Sequence, residues 1–230
     1  MIDLNFDSPE IAPLLDIDPS RGLFDLAYNA QLAPVEEDEL EQHLGWRDGI
    51  AVLPGIVRRD NVERISDHFI TGLLQTAGRR FDHVIIDLGR LRSGPLEAAA
   101  TGQLLWVVTP APLGMDALER QYWSVEEQGQ DWLQRTSLVL NRTSEQSFVG
   151  VERYAASEYD LLTAGRIPDA PDFWRGVERL HSPRALNSPG TDDPRYRKHY
   201  GEQALSVRRA LEALADWLVP IELAASATSV

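Results

Sequence analysis

The sequence predicts an α/β protein with three layers, in which a mostly parallel central sheet carries helices on both faces. Two observations lead to this prediction. Short apolar runs alternate along the chain with longer stretches whose apolar residues recur at helical spacing. Some of the short runs are apolar at every position, as in strands that helices cover on both faces. This alternation favours right-handed βαβ crossovers between parallel strands.

Five segments are predicted to be strands, and most of them contain a run of consecutive apolar residues. Val84-Ile85-Ile86 and Trp106-Val107-Val108 are apolar throughout, which is typical of strands buried between two helical layers. The predicted strands are, in order, Met1–Leu4, Ile50–Leu53, His83–Leu88, Leu104–Thr109 and Ser137–Asn141.

Three longer stretches are predicted to be helices. In Asn61–Ala77 the apolar residues recur every three or four positions, and Asp60 is placed to act as the N-cap. Similar spacing predicts helices over Asp116–Leu133 and Gln203–Leu218. The final helix has one apolar stripe, formed by Val207, Leu211, Leu214 and Leu218. Ser182–Pro194, which is rich in Pro, Gly, Ser and Asp, is predicted to be a loop.

The composition indicates a single soluble domain over residues 1–220, followed by a flexible tail at 221–230. The chain has 230 residues, enough for a sizeable core, and no cysteine, which excludes disulfides and thiolate chemistry. No run is long and apolar enough to cross a bilayer, and no signal peptide is visible, so we expect a cytoplasmic protein. The net charge of −14 disfavours nucleic acid and anionic membranes as partners.

The glycine-rich loop G-x-x-x-x-G-K-[ST], with which many proteins hold nucleotide phosphates, does not occur in the sequence. The single lysine, Lys198, lies in a proline- and arginine-rich stretch near the C-terminus. Asp87, by contrast, ends an apolar strand, where a carboxylate can hold Mg²⁺ opposite nucleotide phosphates. The alternative for Asp87 is that it caps the turn after the strand.

Seven short segments carry a resemblance to a known family. They are Met1–Pro9, Gly22–Leu26, Gly49–Gly55, Phe81–Gly89, Leu104–Pro110, Leu138–Arg142 and Ile167–Asp169. The first segment follows a D-x-D-x-x-x-P pattern, in which Asp3 is the first acid and Asn5 replaces the second. In this order they resemble the ParA/MinD superfamily of deviant P-loop ATPases, and most nearly its CpaE/TadZ-like branch of pilus-assembly proteins. The resemblance covers residues 1–176 but lacks the first strand and the phosphate loop of that fold.

The resemblance implies ATP and Mg²⁺ as cofactors and gives roles to five residues. Asp3 would lie near the attacking water and Mg²⁺, and Asp87 would take the place of the Walker B carboxylate and bind the metal. Gly89 would be the glycine that senses the γ-phosphate, while Asn141 and Pro168 would contact the adenine. Sites in open α/β sheets form beyond the carboxyl ends of the strands, so we expect Asp3 and Asp87 at the same sheet edge.

Each of these roles has a structural alternative. A strand-end aspartate such as Asp3 can instead bond the start of a helix, and Gly89 and Asn141 can be ordinary turn residues. Pro168 need not form a wall for a base. Asn5 replaces a carboxylate of the family pattern, which disfavours catalysis through Asp3.

By resemblance, the protein would position a pilus, secretion or partition machinery at a cellular site through nucleotide-gated dimerisation. We expect a homodimer with protein partners, recruited from the cytoplasm to the cell pole or the inner membrane face. Without a phosphate loop, the chain alone is expected to be inactive. Either an upstream strand and loop are missing from a truncated chain, or the strands re-pair and the protein is a pseudo-ATPase scaffold. A receiver-like binding domain is a third alternative, disfavoured because Lys198 is not in a strand pattern.

Overall fold

The structure is a computed structural model, and it describes residues 1–30, 34–56, 65–89, 102–126, 133–144, 147, 150–180 and 194–227. The chain divides into two compact units. Unit 1 contains the described residues of 1–101, and unit 2 contains those of 102–230.

Unit 1 has a small sheet with helices packed against it. Its elements are β1 (Ile2–Asp3), α1 (Ile11–Leu14), α2 (Leu23–Ala30), α3 (Glu37–Gln42), β2 (Gly45–Arg47), β3 (Ile50–Val52), α4 (Asp67–Arg80) and β4 (Ile86–Asp87). β1 and β4 are parallel, and β2 and β3 form an antiparallel hairpin. A parallel bridge between Ile2 and Leu53 joins the hairpin to β1. The order across unit 1 is therefore β2, β3, β1, β4.

The hairpin was not predicted, although its turn has a clear signal. Asp48 and Gly49 have φ angles of 49° and 84°, the left-handed conformation that both central residues of a type I′ turn adopt. Asp-Gly is a preferred pair for this turn, and it lies between Gly45–Arg47 and Ile50–Val52. The sequence therefore contained the hairpin signal ahead of the predicted strand at Ile50.

Helix α4 begins later than the sequence predicted. Ser66 is its N-cap, and the Ser66 hydroxyl accepts a hydrogen bond from the Phe69 amide at 3.1 Å. The predicted N-cap Asp60 and the predicted start at Asn61 lie outside the described residues. The predicted apolar stripe is confirmed further along, because α4 buries its apolar residues in the core of unit 1. Phe69, Leu73 and Ala77 belong to the predicted stripe and Ile70 was not part of it, while Ile65, which was also predicted to lie on the helix, precedes it.

Unit 2 is built on a three-stranded parallel sheet with β6 in the centre. Its elements are β5 (Leu104–Val108), α5 (Pro112–Glu126), a 3₁₀ turn (Leu133–Arg135), β6 (Thr136–Thr143), α6 (Val151–Tyr159), β7 (Leu162–Pro168), α7 (Pro171–Leu180) and α8 (Pro194–Ala227). β6 pairs with β5 on one side and with β7 on the other, both in parallel. β7 was not among the predicted strands, because its sequence contains Gly165 and few β-branched residues.

Helices cover both faces of the unit 2 sheet. On one face, Leu138 packs with Leu118 of α5 and with Ala155 of α6. On the other face, Leu214 of α8 lies 3.5 Å from the position that a Cβ on Gly165 would occupy. Cross-strand pairing places Gly165 beside Val139, the neighbour of Leu138, and neighbouring residues of a strand face opposite sides. The predicted α/β layering is confirmed in this unit.

Two predicted strands are less buried than expected. Ile85, just before β4, and Val107 in β5 are each 61% exposed, whereas β6 is buried from Thr136 to Leu140. Among the described residues, β6 has a partner strand on both edges, while β4 and β5 each have one partner. A run that is apolar on both faces becomes fully buried only when both edges and both faces are covered, and this condition holds for β6.

The final helix is longer than predicted, since α8 runs from Pro194 to Ala227. Pro194 is suited to a first helical turn, where its missing N–H costs no hydrogen bond. Val207 is buried as predicted, but Leu211 is 40% exposed, because it lies at the edge of the apolar stripe. Residues 182–193 of the predicted loop and residues 228–230 lie outside the described residues. The flexibility of the tail stays a prediction. None of the described helices is long and apolar enough to cross a membrane.

Candidate functional site

Asp3 and Asp87 lie side by side at the carboxyl ends of two parallel strands. They are direct partners in the register of β1 and β4, one step beyond the pair formed by Ile2 and Ile86. The amide of Leu4 donates to the carbonyl of Asp87 at 2.8 Å, so the ladder continues through this point. The two carboxylates are therefore at the same sheet edge, as the sequence predicted.

Asp3 is fully buried and is held by the backbone of the loop after β1. Its Oδ1 accepts a hydrogen bond from the Asn5 amide at 3.1 Å, and its Oδ2 accepts one from the Ile11 amide at 3.2 Å. Burial raises the pKa of Asp3, and the charge of Asp87 acts in the same direction, against the lowering effect of the backbone amides. Asp3 thus ties the loop after β1 to the first residue of α1, which is the structural alternative to a catalytic role.

At Gly55, beside Asp3, there is no space for a larger side chain. A Cβ on Gly55 would lie 3.0 Å from Cγ of Asp3 and 2.7 Å from Cβ of Pro9. Gly55 comes soon after β3, so the chain from the hairpin passes directly over the Asp3 carboxyl group. The sequence patterns did not single out Gly55 or Pro9 as packing partners of Asp3, although both lie in the motifs of the family resemblance.

Asp87 has a different environment, because it is half-buried and bonds the turn at the end of its strand. Its Oδ1 accepts a hydrogen bond from the amide of Gly89 at 2.8 Å. Within the described residues, this amide is the donor to the Asp87 carboxylate. Gly89 has a φ of 56°, in the left-handed region that favours glycine. A Cβ on Gly89 would clash with the side-chain amide of Asn5. Asn5 in turn accepts from the amide of Ser8 at 3.1 Å.

These contacts join the ends of β1 and β4 into one small cluster, formed by Asp3, Asn5, Asp87 and Gly89. The described residues contain no group of three or more potential metal ligands, so a metal here would take ligands from elsewhere. That requirement suits Mg²⁺, which binds proteins through one or two carboxylates and completes its shell with water and phosphate oxygens. Asp87 fits such a role better than Asp3, whose oxygens are both engaged by backbone amides.

Asn141 and Pro168 lie together at the end of β6 and β7 in unit 2. Asn141 pairs with Ile167, and Thr143 pairs with Pro168. The amide of Asp169 donates to the carbonyl of Thr143 at 2.8 Å, which closes this end of the sheet. The structure therefore brings Asp3, Asp87 and Gly89 together in unit 1, and Asn141 with Pro168 in unit 2.

Asn141 carries a buried acceptor that lacks a hydrogen bond. Its Oδ1 is enclosed and has no partner among the described residues. A buried polar atom without a partner costs about 1–3 kcal/mol, so such atoms in a folded protein call for an explanation. An amide oxygen accepts from an amino group, and the exocyclic amine of adenine is such a donor. A base with an amino edge could bond this oxygen only after the groups that enclose it move.

The architecture defines an α/β protein whose candidate sites lie beyond the carboxyl ends of parallel strands, as in nucleotide-binding folds. Structural comparison specifies the fold further. A ParA family ATPase from Chlorobium tepidum has a TM-score of 0.70 and 15% identity, with 89% of this chain and 84% of that chain covered. MinD from Pyrococcus horikoshii, in complex with Mg-ADP, has a TM-score of 0.62 and 16% identity, with 93% and 83% covered.

A putative plasmid partition protein from Borrelia burgdorferi bound to AMPPNP gives a TM-score of 0.58 at 14% identity, with 90% of this chain and 84% of that chain covered. No protein-family model and no curated protein sequence matches the chain. At sequence identities this low, the structural similarity establishes the fold alone. The chain has the ParA/MinD fold, and the resemblance predicted from its sequence is confirmed at that level.

Proposed function

We propose that this chain is a ParA/MinD-like ATPase-fold protein that positions a pilus, secretion or partition machinery through nucleotide-gated dimerisation. The observation that carries the proposal is the pairing of Asp3 with Asp87 beside Gly89, at the ends of two parallel strands. Solved proteins of the same fold are named as a cell-division ATPase, a cell-division complex of MinD with MinC, and a putative plasmid partition protein. The CpaE/TadZ-like branch is part of the proposal and depends on the sequence motifs alone.

Four of the five site residues have a proposed task. Asp87, which has one oxygen bonded to Gly89, would use its carboxylate to orient Mg²⁺ or a metal-bound water. Gly89, already in a left-handed conformation, would let its amide turn toward a γ-phosphate. Asn141 Oδ1 would accept from the amino group of adenine, with Pro168 beside it. A bound nucleotide would supply the phosphate oxygens that complete the metal shell.

The phosphate grip is the part of the site that these residues do not provide. We propose that a strand and a phosphate loop from outside the 230 residues pair with the open edge of β4. Hydrogen bonds from Ile2 and Leu4 reach the carbonyls of Ile85 and Asp87, so the N–H and C=O of Ile86 point to the other edge. Within the described residues that edge has no partner strand.

A groove in unit 1 is also lined by exposed apolar residues. It has a volume of about 530 Å³ and lies at the amino ends of the unit 1 strands. Trp46, Ile50 and Ile85, three of its lining residues, are 57%, 43% and 61% exposed. Aliphatic and aromatic side chains this exposed gain stability when another element covers them, at about 25 cal/mol for each Å² removed from water. Ile85 lies next to the open edge of β4, so an added strand would cover it, whereas Trp46 and Ile50 lie on β2 and β3, beyond β1.

A pseudo-ATPase scaffold, which binds partner proteins without nucleotide, is the second candidate. Two observations favour it. Both oxygens of Asp3 are engaged by backbone amides, and Asn5, not a carboxylate, lies against Gly89. In this case the protein would use the surfaces of the ParA/MinD fold to bind partner proteins, and the fold would bind no nucleotide.

The test begins with the coding sequence upstream of Met1. A protein extended through an in-frame glycine-rich loop that ends in Gly-Lys-Ser or Gly-Lys-Thr should bind ATP with Mg²⁺ in calorimetry. Replacing the loop lysine by alanine in that extended protein should abolish the binding. If the extended protein binds no ATP, or if no such loop is encoded, the scaffold function replaces the proposed nucleotide-gated function.

A further inference from the structure

Helices α5 and α6 place four aromatic rings at one surface of unit 2. Tyr122 meets Trp123 edge-on at 5.3 Å between ring centroids, and lies 4.6 Å from the ring of Tyr159. Tyr154 meets Tyr159 edge-on at 5.7 Å, and their hydroxyls are 3.4 Å apart. Tyr159 is buried in the core of unit 2, whereas Trp123 and Tyr154 are 50% and 41% exposed. Buried rings thus hold the two exposed rings in place.

Two carboxylates flank these rings. Glu119 lies one helical turn before Tyr122 and Trp123 on α5, and Glu158 lies one turn after Tyr154 on α6, both on exposed positions. Both act on the hydroxyl of Tyr159, whose pKa is raised first by burial, then by Tyr154, and further by the charges of Glu119 and Glu158. Helical spacing puts each carboxylate beside the exposed ring of its own helix, and the contact between Tyr122 and Tyr159 joins the two helices. We call this surface the aromatic–acidic surface (Glu119, Tyr122, Trp123, Tyr154, Glu158 and Tyr159).

Basic residues of the same helices are few. α5 contains Arg120 and α6 contains Arg153, while acidic residues outnumber them on both helices. Arg166 of β7 reaches the edge of α6, but its guanidinium is paired with Glu152. With Glu152 paired to Arg166, the charges of α6 balance, and the excess of negative charge comes from α5, which has three acidic residues and one arginine.

We propose that the aromatic–acidic surface binds a basic segment of a partner protein, with an arginine seated on Trp123 or Tyr154 and paired with the carboxylate one turn away on the same helix, Glu119 or Glu158. Cations bind over the faces of tryptophan and tyrosine rings, and arginine does so more often than lysine. Its planar guanidinium also makes two hydrogen bonds to one carboxylate. Exposed tryptophan and tyrosine are the residues that most often dominate binding at interfaces. The proposed site requires no nucleotide.

Negative charge at this surface decides between partner classes. Nucleic acid and anionic lipid both carry negative charge, so Glu119 and Glu158 would repel them. An uncharged apolar partner would leave the two carboxylates without a counter-charge. A segment that combines arginine with apolar residues matches the rings and the carboxylates together.

The test uses the 230-residue protein and two synthetic peptides. One is an acetylated and amidated hexapeptide of alternating arginine and leucine, and the other has citrulline, a neutral isostere, in place of arginine. Binding is followed by the NMR signal of the Trp123 indole N–H, assigned by its loss in Trp123→Phe. We expect the arginine peptide to shift this signal in a saturable way, and the citrulline peptide to bind about tenfold more weakly or not at all.

Substitutions locate the site and separate it from bulk charge. Tyr154→Ala should weaken binding about tenfold, and Glu119→Gln with Glu158→Gln about fivefold. The matched control is Glu37→Gln with Asp38→Asn, which removes the same charge from exposed positions on α3 and should change binding less than about twofold. Unchanged circular dichroism spectra of the variants would show that they remain folded.

Three outcomes would overturn the proposal. Equal losses in the α3 control and in the Glu119 and Glu158 variant would show attraction by net charge alone. Equal binding of the citrulline peptide would remove the role of the cation. Sedimentation of the protein alone is the third measurement. If it forms a dimer that Trp123→Ala dissociates, the surface belongs to a second copy of the chain and not to a basic partner.

Discussion

Asp3 and Asp87 are direct neighbours in the register of β1 and β4, yet one is fully buried and the other half-exposed. The difference arises from the loops at the ends of the two strands. After Asp3 the chain folds back, so that amides from the loop and from α1 bond both carboxyl oxygens. After Asp87 it makes a tight turn at Gly89 that engages one oxygen. Both oxygens of Asp3 are therefore engaged by backbone amides, whereas one oxygen of Asp87 accepts no hydrogen bond from the described residues.

The 230-residue chain should bind ATP weakly or not at all. Phosphate binding requires a cradle of backbone amides, usually with a lysine, and the sequence contains no such loop. The measurement is calorimetry of the chain with ATP and Mg²⁺. Sub-micromolar binding would show that another element replaces the loop.

Replacing Asp3 by alanine should destabilise unit 1. The amides of Asn5 and Ile11 would lose their acceptor, and a buried donor without a partner costs about 1–3 kcal/mol. Urea denaturation of the wild type and Asp3→Ala measures the difference. Asp87→Ala is the matched control at the neighbouring position, where one amide loses its partner at a half-exposed site. A loss no greater for Asp3→Ala than for Asp87→Ala would contradict the role assigned to Asp3.

The contribution of Asp3 to stability should fall as the pH rises through the range just above the ordinary pKa of this residue, 3.8. Burial raises the pKa of Asp3 in the folded state, so over this range the folded state binds more protons than the unfolded state. The contribution of Asp3 is therefore largest at low pH and is lost as its carboxyl ionises. Many other carboxylates titrate in the same range, so the measured quantity is the difference between wild type and Asp3→Asn.

That difference in the free energy of unfolding should change in favour of Asp3→Asn as the pH rises, because the variant cannot ionise. Chemical denaturation at intervals between about pH 4 and pH 7 measures it, a range in which an ordinary aspartate would already be ionised. A difference that is constant with pH would show that the two states bind the same number of protons at Asp3.

Gly89→Ala should destabilise the site more than the same change at Gly150. Both glycines have positive φ, at 56° and 90°, and a left-handed conformation costs a non-glycine residue about 1–2 kcal/mol. At Gly150 the new Cβ would have no atom within 4 Å, while at Gly89 it would clash with Asn5. Thermal unfolding compares the two variants. Asn5→Ala combined with Gly89→Ala should recover the part of the loss that the clash causes.

The layering and the positions of most strands were predictable from the sequence because they depend on local patterns. Apolar runs at Ile50, Ile86, Leu104 and Leu138 all fall in or beside observed strands. Exposure was predicted less well, because Ile85 and Val107 depend on partner strands that are distant in the sequence. β7 was missed because its strand character comes from pairing with β6 and not from its own residues.

The candidate site was likewise predictable only where it depends on local sequence patterns. The resemblance pointed to Asp3 and Asp87, and the adjacency of parallel strand ends placed them together. The burial of Asp3 was not predictable, because it depends on a loop that returns to bond both of its oxygens. The contact between Asn5 and Gly89 likewise joins two loops that are far apart in the sequence.

In a protein extended by an upstream phosphate loop, where such a loop is encoded, Asp87→Ala should impair ATP hydrolysis more than ATP binding. The restored loop would carry most phosphate contacts, while Asp87 would organise Mg²⁺ and water at the end of β4. Turnover and calorimetry of the two extended proteins separate the effects. The extended wild type should also dimerise more strongly with ATP than with ADP in sedimentation, because the proposed switch closes around the γ-phosphate. A monomer in both nucleotides, together with unchanged turnover in Asp87→Ala, would exclude the switch and leave the scaffold function.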